Sequence, residues 1–237
     1  MGNYMRIGLA ALALAGRAYA NNFNNAVVPP TRQQLEERLV WTGNKTSSSF
    51  SLISSPKYFG KTIGAIVNIP YVWNSNGTRG MGDANIMLCV VAKQGTSNYI
   101  PFIGLKIPSG ELSSKTYDLN FGTLVTYWIN NKKAEVNFTL KYTMTGSTPQ
   151  GINPPNQLFL AAFAGGQVAK NLRIAAGTNL TANSNGDYQV GARAGTKFII
   201  GDYDWIIEVF ANYVVAQQNM PGKYSFEVSF RFNPKKG

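Results

Sequence analysis

The chain has 237 residues, of which 44% are hydrophobic and 14% charged, so it is too apolar for a disordered protein and long enough to bury a large core. It contains 22 lysines and arginines against 11 aspartates and glutamates, a single cysteine and no histidine. One cysteine excludes a disulfide-stapled scaffold, and the lack of histidine removes the side chain that most often performs acid–base catalysis at neutral pH. We therefore expect a protein without enzymatic activity, bound cofactor or metal ion.

The chain begins with an apolar stretch from Ile7 to Ala15, which follows Arg6. With the Ala18-Tyr19-Ala20 sequence behind it, this stretch has the outline of a secretory signal peptide. Arg17 lies just before the cleavage position and favours instead a retained segment that packs on a neighbour or dips into a membrane surface. The residues expected to make these assembly or membrane contacts are Ile7, Leu9, Leu12 and Leu14.

A linker and a short helix are predicted next. The polar residues 21–25 and the pair Pro29-Pro30 favour an extended linker, and Thr31 with Gln34 forms the pattern of a capping box. A two-turn helix over residues 32–39 would follow. The sequence thus predicts an N-terminal arm over residues 1–39, made of the apolar segment, the Asn/Pro linker and this helix, and one β domain over residues 40–237.

The β domain is predicted from apolar residues that recur at every second position. The clearest runs are Ala134 to Met144, Tyr224 to Phe232 and Ile63 to Trp73, each with one apolar or aromatic face. Because antiparallel sheets commonly bury one face and expose the other, we expect these apolar faces in a protein core and the polar faces in solvent. The predicted strands are 40–43, 48–54, 62–73, 85–93, 98–107, 116–129, 133–144, 157–163, 188–200, 203–216 and 223–232.

Turn-forming sequences such as Asn74-Ser75-Asn76-Gly77 and Asn183-Ser184-Asn185-Gly186 separate these runs. The chain shows neither an internal repeat nor alternating strands and helices, so a propeller and a parallel α/β sheet are excluded. The predicted fold is all-β: a two-sheet antiparallel sandwich, jelly-roll-like, preceded by the apolar arm and the short helix.

Two groups of side chains are candidates for binding sites. Asp202, Asp204 and Glu208 share one face of a strand and could hold Ca²⁺, although solvated side chains at a strand start explain them better. Trp73, Trp128 and Trp205 could stack on sugars, although all three lie in strand patterns that favour core packing. No catalytic, cofactor-binding or metal-ligating residue is predicted.

A single β domain with an N-terminal arm, long loops and many aromatic and β-branched residues resembles the viral single jelly-roll capsid proteins, over roughly residues 40–232. The resemblance implies a self-assembling coat subunit of a virion that surrounds the genome or an internal membrane. Its partners would be many copies of itself and other structural subunits. A basic face would meet anionic lipid or nucleic acid, and no small-molecule substrate is expected.

Two other functions remain open at the level of sequence. The first is a pilin-like subunit of an extracellular, cell-surface filament, exported through residues 1–20 and polymerised by strand exchange. The second is a carbohydrate-binding β-sandwich. Closed shells, filaments and a monomer, respectively, would distinguish the three hypotheses.

Overall fold

The structure is a computed structural model, and it describes residues 32–44, 47–60, 62–94, 96–130, 133–201, 205–220 and 224–232. Their secondary structure consists of strands, turns and bends. In this part of the chain no helix is long and apolar enough to cross a membrane.

The described residues form fourteen strands, and most of them have eleven to fourteen residues, which is long for a globular protein. They are β1 (Arg32–Gly43), β2 (Ser48–Phe59), β3 (Ile63–Asn74), β4 (Arg79–Met81), β5 (Ala84–Val90), β6 (Ala92–Gln94), β7 (Ser97–Ile107), β8 (Asp118–Ile129), β9 (Ala134–Thr145), β10 (Gln157–Ala169), β11 (Leu172–Asn183), β12 (Tyr188–Ile200), β13 (Trp205–Gln218) and β14 (Tyr224–Phe232).

Twelve of these strands form one closed antiparallel barrel. Neighbouring strands in the chain pair with each other, β3 pairs with β5, and β5 pairs with β7. The ring closes where β1 pairs with β14, from Leu35 opposite Phe232 to Gly43 opposite Tyr224. The short strands β4 and β6 precede and follow β5 in the chain, and they extend its pairing with β3 and with β7. Closure leaves the barrel without a free sheet edge.

The two ends of the barrel differ in the length of their connections. One end, here called the loop end, carries the long connections 108–117 and 146–156, and also the segment 75–83 between β3 and β5, which contains β4. The other end, here called the turn end, carries shorter ones, including the two-residue turn 170–171 between β10 and β11. The start of β1 and the end of β14 also lie at the turn end, because an even number of antiparallel strands returns the chain to the side on which it began.

The alternation of residues is confirmed, but the two faces lie opposite to expectation. On β9, Phe138 is 46% exposed on the outside of the barrel, whereas the neighbouring Thr139 is 4% exposed on the inside. The even-numbered residues of β14 and the odd-numbered residues of β3 likewise point outward, while Asn68, Glu227 and other polar residues between them are buried. The predicted apolar core faces are therefore the outer surface of the barrel.

The predicted two-sheet jelly-roll sandwich is wrong, because all the strands belong to one sheet that closes on itself. The predicted short helix is also wrong: residues 32–39 form the first part of β1, held by pairing to β2 and β14. Long-range pairing overrides the local capping pattern here. The rest of the predicted arm, residues 1–31, lies outside the described residues, and so do Ile7, Leu9, Leu12 and Leu14.

One barrel strand was missing from the sequence prediction. β11 alternates weakly, because its outward positions include Ala176 and Thr178 and its inward positions include Ala175 and Gly177. Because both faces carry small residues, they differ little in hydrophobicity, and a periodicity of two is detected only from such a difference. β11 nevertheless forms, because it pairs antiparallel with β10 and with β12 along nearly its whole length.

Candidate functional site: the charged interior of the barrel

The interior of the barrel, here called the lumen, concentrates the charge of the described strands. Eight basic and five acidic side chains of the barrel strands point inward, and nearly all are less than 10% exposed. This arrangement is opposite to that of a water-soluble globular core, where unpaired charges are almost never buried. The inward charged residues are Arg38, Lys57, Lys106, Lys141, Arg173, Arg193, Lys197 and Arg231, with Glu36, Asp118, Glu135, Glu208 and Glu227.

The largest group of ion pairs crosses the junction between the first and last strands. Glu36 of β1 lies at its centre and accepts hydrogen bonds from Lys57 and from Arg231, whose Nε lies 3.0 Å from Glu36 Oε2. Arg38 Nε lies 3.1 Å from the other carboxylate oxygen. One carboxylate thus contacts basic side chains from β1, β2 and β14, and these contacts link the three strands at the closure of the ring, in a setting of low dielectric constant.

Two more carboxylates extend this group to β12 and β13. Glu208 lies 3.3 Å from Lys197 Nζ and 3.5 Å from Arg231. Glu227 lies 3.3 Å from Arg193 and 3.9 Å from Arg38. We call the whole group the ion-pair ladder: Glu36, Arg38, Lys57, Arg193, Lys197, Glu208, Glu227 and Arg231. It contains five basic and three acidic side chains, so it carries an excess of positive charge.

A smaller polar group fixes the long connection between β7 and β8 at the loop end. Lys106 Nζ lies 2.6 Å from Asp118 Oδ2 and 3.4 Å from Asp83 Oδ2, and it donates to the Thr116 hydroxyl at 2.8 Å. The Ser114 hydroxyl donates to Asp83 at 2.6 Å. These bonds anchor residues 114–116 against the inner wall instead of leaving the connection in solvent.

Two arginines lie against aromatic rings of the lumen. The Arg193 guanidinium lies 4.4 Å from the centroid of Phe210, and Arg173 lies 5.4 Å from the ring of Trp128. Arg173 also lies 3.6 Å from Glu135. Contact with a ring face and a carboxylate holds each planar guanidinium in one orientation along the wall.

The lumen is not polar all round. Seven buried apolar residues from five strands contact one another on its β2–β8 side, and most of them are less than 5% exposed. We call this cluster the apolar wedge: Phe59, Ile66, Met87, Cys89, Ile100, Phe102 and Leu124. The inner wall thus contains an apolar patch beside its charged groups.

The outer surface between the two ends is almost entirely apolar. Large exposed side chains cover the middle of the strands, for example Leu88, Ile103, Leu140 and Phe230, each more than 40% exposed. Among the described side chains of the twelve barrel strands, Glu37 is the only charged one that points outward, and it accepts a 2.6 Å hydrogen bond from Ser54.

Aromatic residues border this apolar surface at both ends. At the loop end, ring pairs form between Trp41 and Tyr224 and between Phe50 and Trp73, with centroids 5.1 Å and 5.3 Å apart. At the turn end, the rings of Trp205 and Phe232 lie 4.6 Å apart. Two aromatic girdles that flank an apolar band around a polar interior are typical of barrels that span a membrane.

The structure separates the side chains that the sequence grouped as candidate sites. Trp73 and Trp205 lie outside in opposite girdles and Trp128 lies in the lumen, so they share no sugar-stacking platform. Glu208 belongs to the ion-pair ladder, whereas Asp202 and Asp204 lie outside the described residues. The described residues contain no group of three side chains suited to a metal ion. Sequence reasoning missed the ladder, although its signal was present as charged residues on the polar faces of two alternating strands: Glu36 and Arg38 on β1, and Glu227 and Arg231 on β14.

Solved structures share this architecture although their sequences differ widely. An outer membrane channel from Pseudomonas putida F1 superposes with a TM-score of 0.71 at 9% identity, over 88% of this chain and 97% of that one. The translocator domain of the autotransporter NalP from Neisseria meningitidis gives 0.68 at 9% identity, over 94% and 95%. The NanC porin gives 0.62 at 11% identity, over 84% and 98%. The fold is that of outer membrane β-barrels.

No protein-family model and no curated protein sequence matches the chain. The structural neighbours nevertheless overturn the functions expected from the sequence. The coat subunit of a virion, the pilin-like filament subunit on the cell surface and the carbohydrate-binding sandwich are all wrong, because each required a two-sheet sandwich. The expected assembly of many copies into a capsid is wrong for the same reason. The basic face expected to meet lipid or nucleic acid is also wrong for the barrel wall: the basic side chains that the structure describes on the barrel strands point into the lumen.

Proposed function

We propose that the protein spans a bacterial outer membrane and conducts small polar solutes through its lumen. The observation that carries the proposal is the reversal of the two faces, with apolar side chains outside and charged ones inside. In water the exposed apolar band would be unfavourable, whereas a bilayer covers it with lipid and so removes its apolar area from water. Because the ring is closed, each barrel strand pairs on both edges, which satisfies its backbone hydrogen-bonding groups within the hydrocarbon layer. The likeness to an outer membrane channel and a porin supports the same role.

The lengths of the connections support an orientation in the membrane. Outer membrane barrels have short turns on the periplasmic side and longer loops outside the cell. The turn end would thus face the periplasm, and the loop end, with connections 108–117 and 146–156, would face the exterior. Solutes would enter beside the Lys106 group and leave past the ion-pair ladder.

The charge of the lumen favours anions over cations. Eight basic side chains face five acidic ones on the barrel strands, and Asp83 at the loop end adds one more carboxylate. Most of this charge is neutralised in ion pairs, so we expect a modest anion preference rather than strict selection. The proposed role is passive conduction and involves no catalytic step.

Ion conductance of the purified protein in planar bilayers tests the proposal. We expect discrete channel openings and, in a KCl gradient, a reversal potential displaced toward that of chloride. The variant Lys141→Gln should reduce this displacement of the reversal potential, because it removes one positive charge from the lumen. The matched change Leu140→Val, on the outer face of the same strand, should leave it unchanged. The proposal would be overturned if correctly inserted protein gave no channel openings, both in the wild type and in variants of the apolar wedge.

A further inference from the structure

The apolar wedge lies where a conducting pore should be lined with water. Ile66, Met87 and Leu124 are completely buried, and Ile100 is 1% exposed. Their strands have only one other face, the outer one, so these side chains are buried against one another inside the lumen. A water-filled passage on this side of the barrel would leave them exposed.

The wedge and the ion-pair ladder meet at the same height in the barrel. Ile66 pairs in register with Lys57, which belongs to the ladder and is 4% exposed. At this level the wedge and the ladder therefore lie side by side on the inner wall. The inner wall here is apolar on the β2–β8 side and carries an excess of basic side chains along the ladder.

We propose that the apolar wedge is a closed gate, an inference that rests on the proposed channel function. An apolar constriction excludes water and therefore ions, even where only small side-chain movements would open it. Met87 and Phe102 each pack against a glycine of the neighbouring strand, Gly104 and Gly122 respectively. A methyl group at Gly104 would lie 3.5 Å from Met87 Cβ, and one at Gly122 would lie 2.9 Å from Phe102 Cζ.

Cys89 supplies a native reporter for the state of the gate. It is the single cysteine of the chain, it is 3% exposed, and it contacts the other wedge residues. A water-soluble methanethiosulfonate reagent can reach its thiol only when the wedge separates. No introduced cysteine is needed.

Single-channel recording of two wedge variants tests the gate. Phe102→Ala and Leu124→Ala should raise the open probability roughly tenfold or more, because each weakens the packing that favours the closed state. Phe138→Ala removes an equally large ring from the outer face of β9 and should leave gating unchanged. Equal open probabilities in all four proteins would overturn the gate.

Thiol labelling decides the question independently of the variants. In the wild type, Cys89 should react slowly at rest and roughly tenfold faster under a voltage that opens the channel. Fast labelling at rest, in a protein that conducts, would overturn the gate while leaving the channel function intact. Protection of Cys89 without any current, in the wild type and in both wedge variants, would overturn the channel function itself and the gate with it.

Discussion

Glu36 and Glu37 are adjacent in sequence and experience opposite environments. Glu36 points into the lumen, is 1% exposed and contacts three basic side chains. Glu37 points to the outer surface and accepts one hydrogen bond, from Ser54. The two side chains have the same chemistry, so a comparison between them isolates the effect of direction.

Replacing Glu36 by glutamine should destabilise the barrel by about 3–5 kcal/mol, because Lys57, Arg38 and Arg231 would remain buried without their central carboxylate. Urea unfolding of the protein in lipid vesicles would measure the change. Glu37→Gln, which keeps the shape and the hydrogen bond to Ser54, should alter stability by less than about 1 kcal/mol. Similar losses from the two variants would contradict the assignment of inner and outer faces on β1.

At the scale of strands, inward aromatic rings lie over glycines of the neighbouring strand. Phe163 of β10 lies over Gly177 of β11, and Phe210 of β13 lies over Gly195 of β12. Each ring covers the backbone of its neighbour at a position where a larger residue than glycine would collide with it. The glycines of this part of the wall are therefore packing residues.

Gly177→Ala should destabilise the protein by about 1–3 kcal/mol, since the new methyl group would lie 2.5 Å from Phe163 Cδ1 and 2.1 Å from the Ala162 carbonyl oxygen. The matched control is Gly166→Ala on β10, whose methyl group would meet only the Lys133 carbonyl oxygen, at 3.8 Å. That change should stay within about 0.5 kcal/mol of the wild type. Unfolding midpoints in vesicles compare the two, and an equal response would argue against the ring-over-glycine packing.

At the scale of the whole molecule, stability depends on the medium around the barrel. The hydrophobic effect cannot hold the ring together from outside in water, because the apolar side chains face outward and the charged ones inward. The strands are held by a closed hydrogen-bond register and by the ladder across the β1–β14 junction.

Refolding from urea should consequently require an amphiphile. In detergent micelles or lipid vesicles we expect a β-sheet circular dichroism spectrum and resistance of the strands to protease. In buffer alone the chain should aggregate, because its apolar surface has no lipid to cover it. Sedimentation of the detergent-free sample distinguishes the outcomes, and a folded monomer in buffer alone would contradict the membrane-spanning arrangement.

The sequence by itself determined that the protein is built from strands, and it located most of them. The period of two is a property of the extended backbone, so residues such as Phe138 and Thr139 point in opposite directions in any sheet. Weak contrast between faces hid β11, and local capping chemistry at Thr31 and Gln34 suggested a helix where pairing with β2 and β14 forms a strand.

Only the tertiary structure decided which face lies inside. Alternation is identical for a sheet whose apolar face packs on a second sheet and for one that curls until its polar face is enclosed. The difference lies in the pairing of β1 with β14, between residues about two hundred positions apart, such as Glu36 and Arg231. That pairing closes the ring and turns a polar strand face into a charged lumen and an apolar face into a surface for lipid, because a closed sheet has an inside that a sandwich lacks.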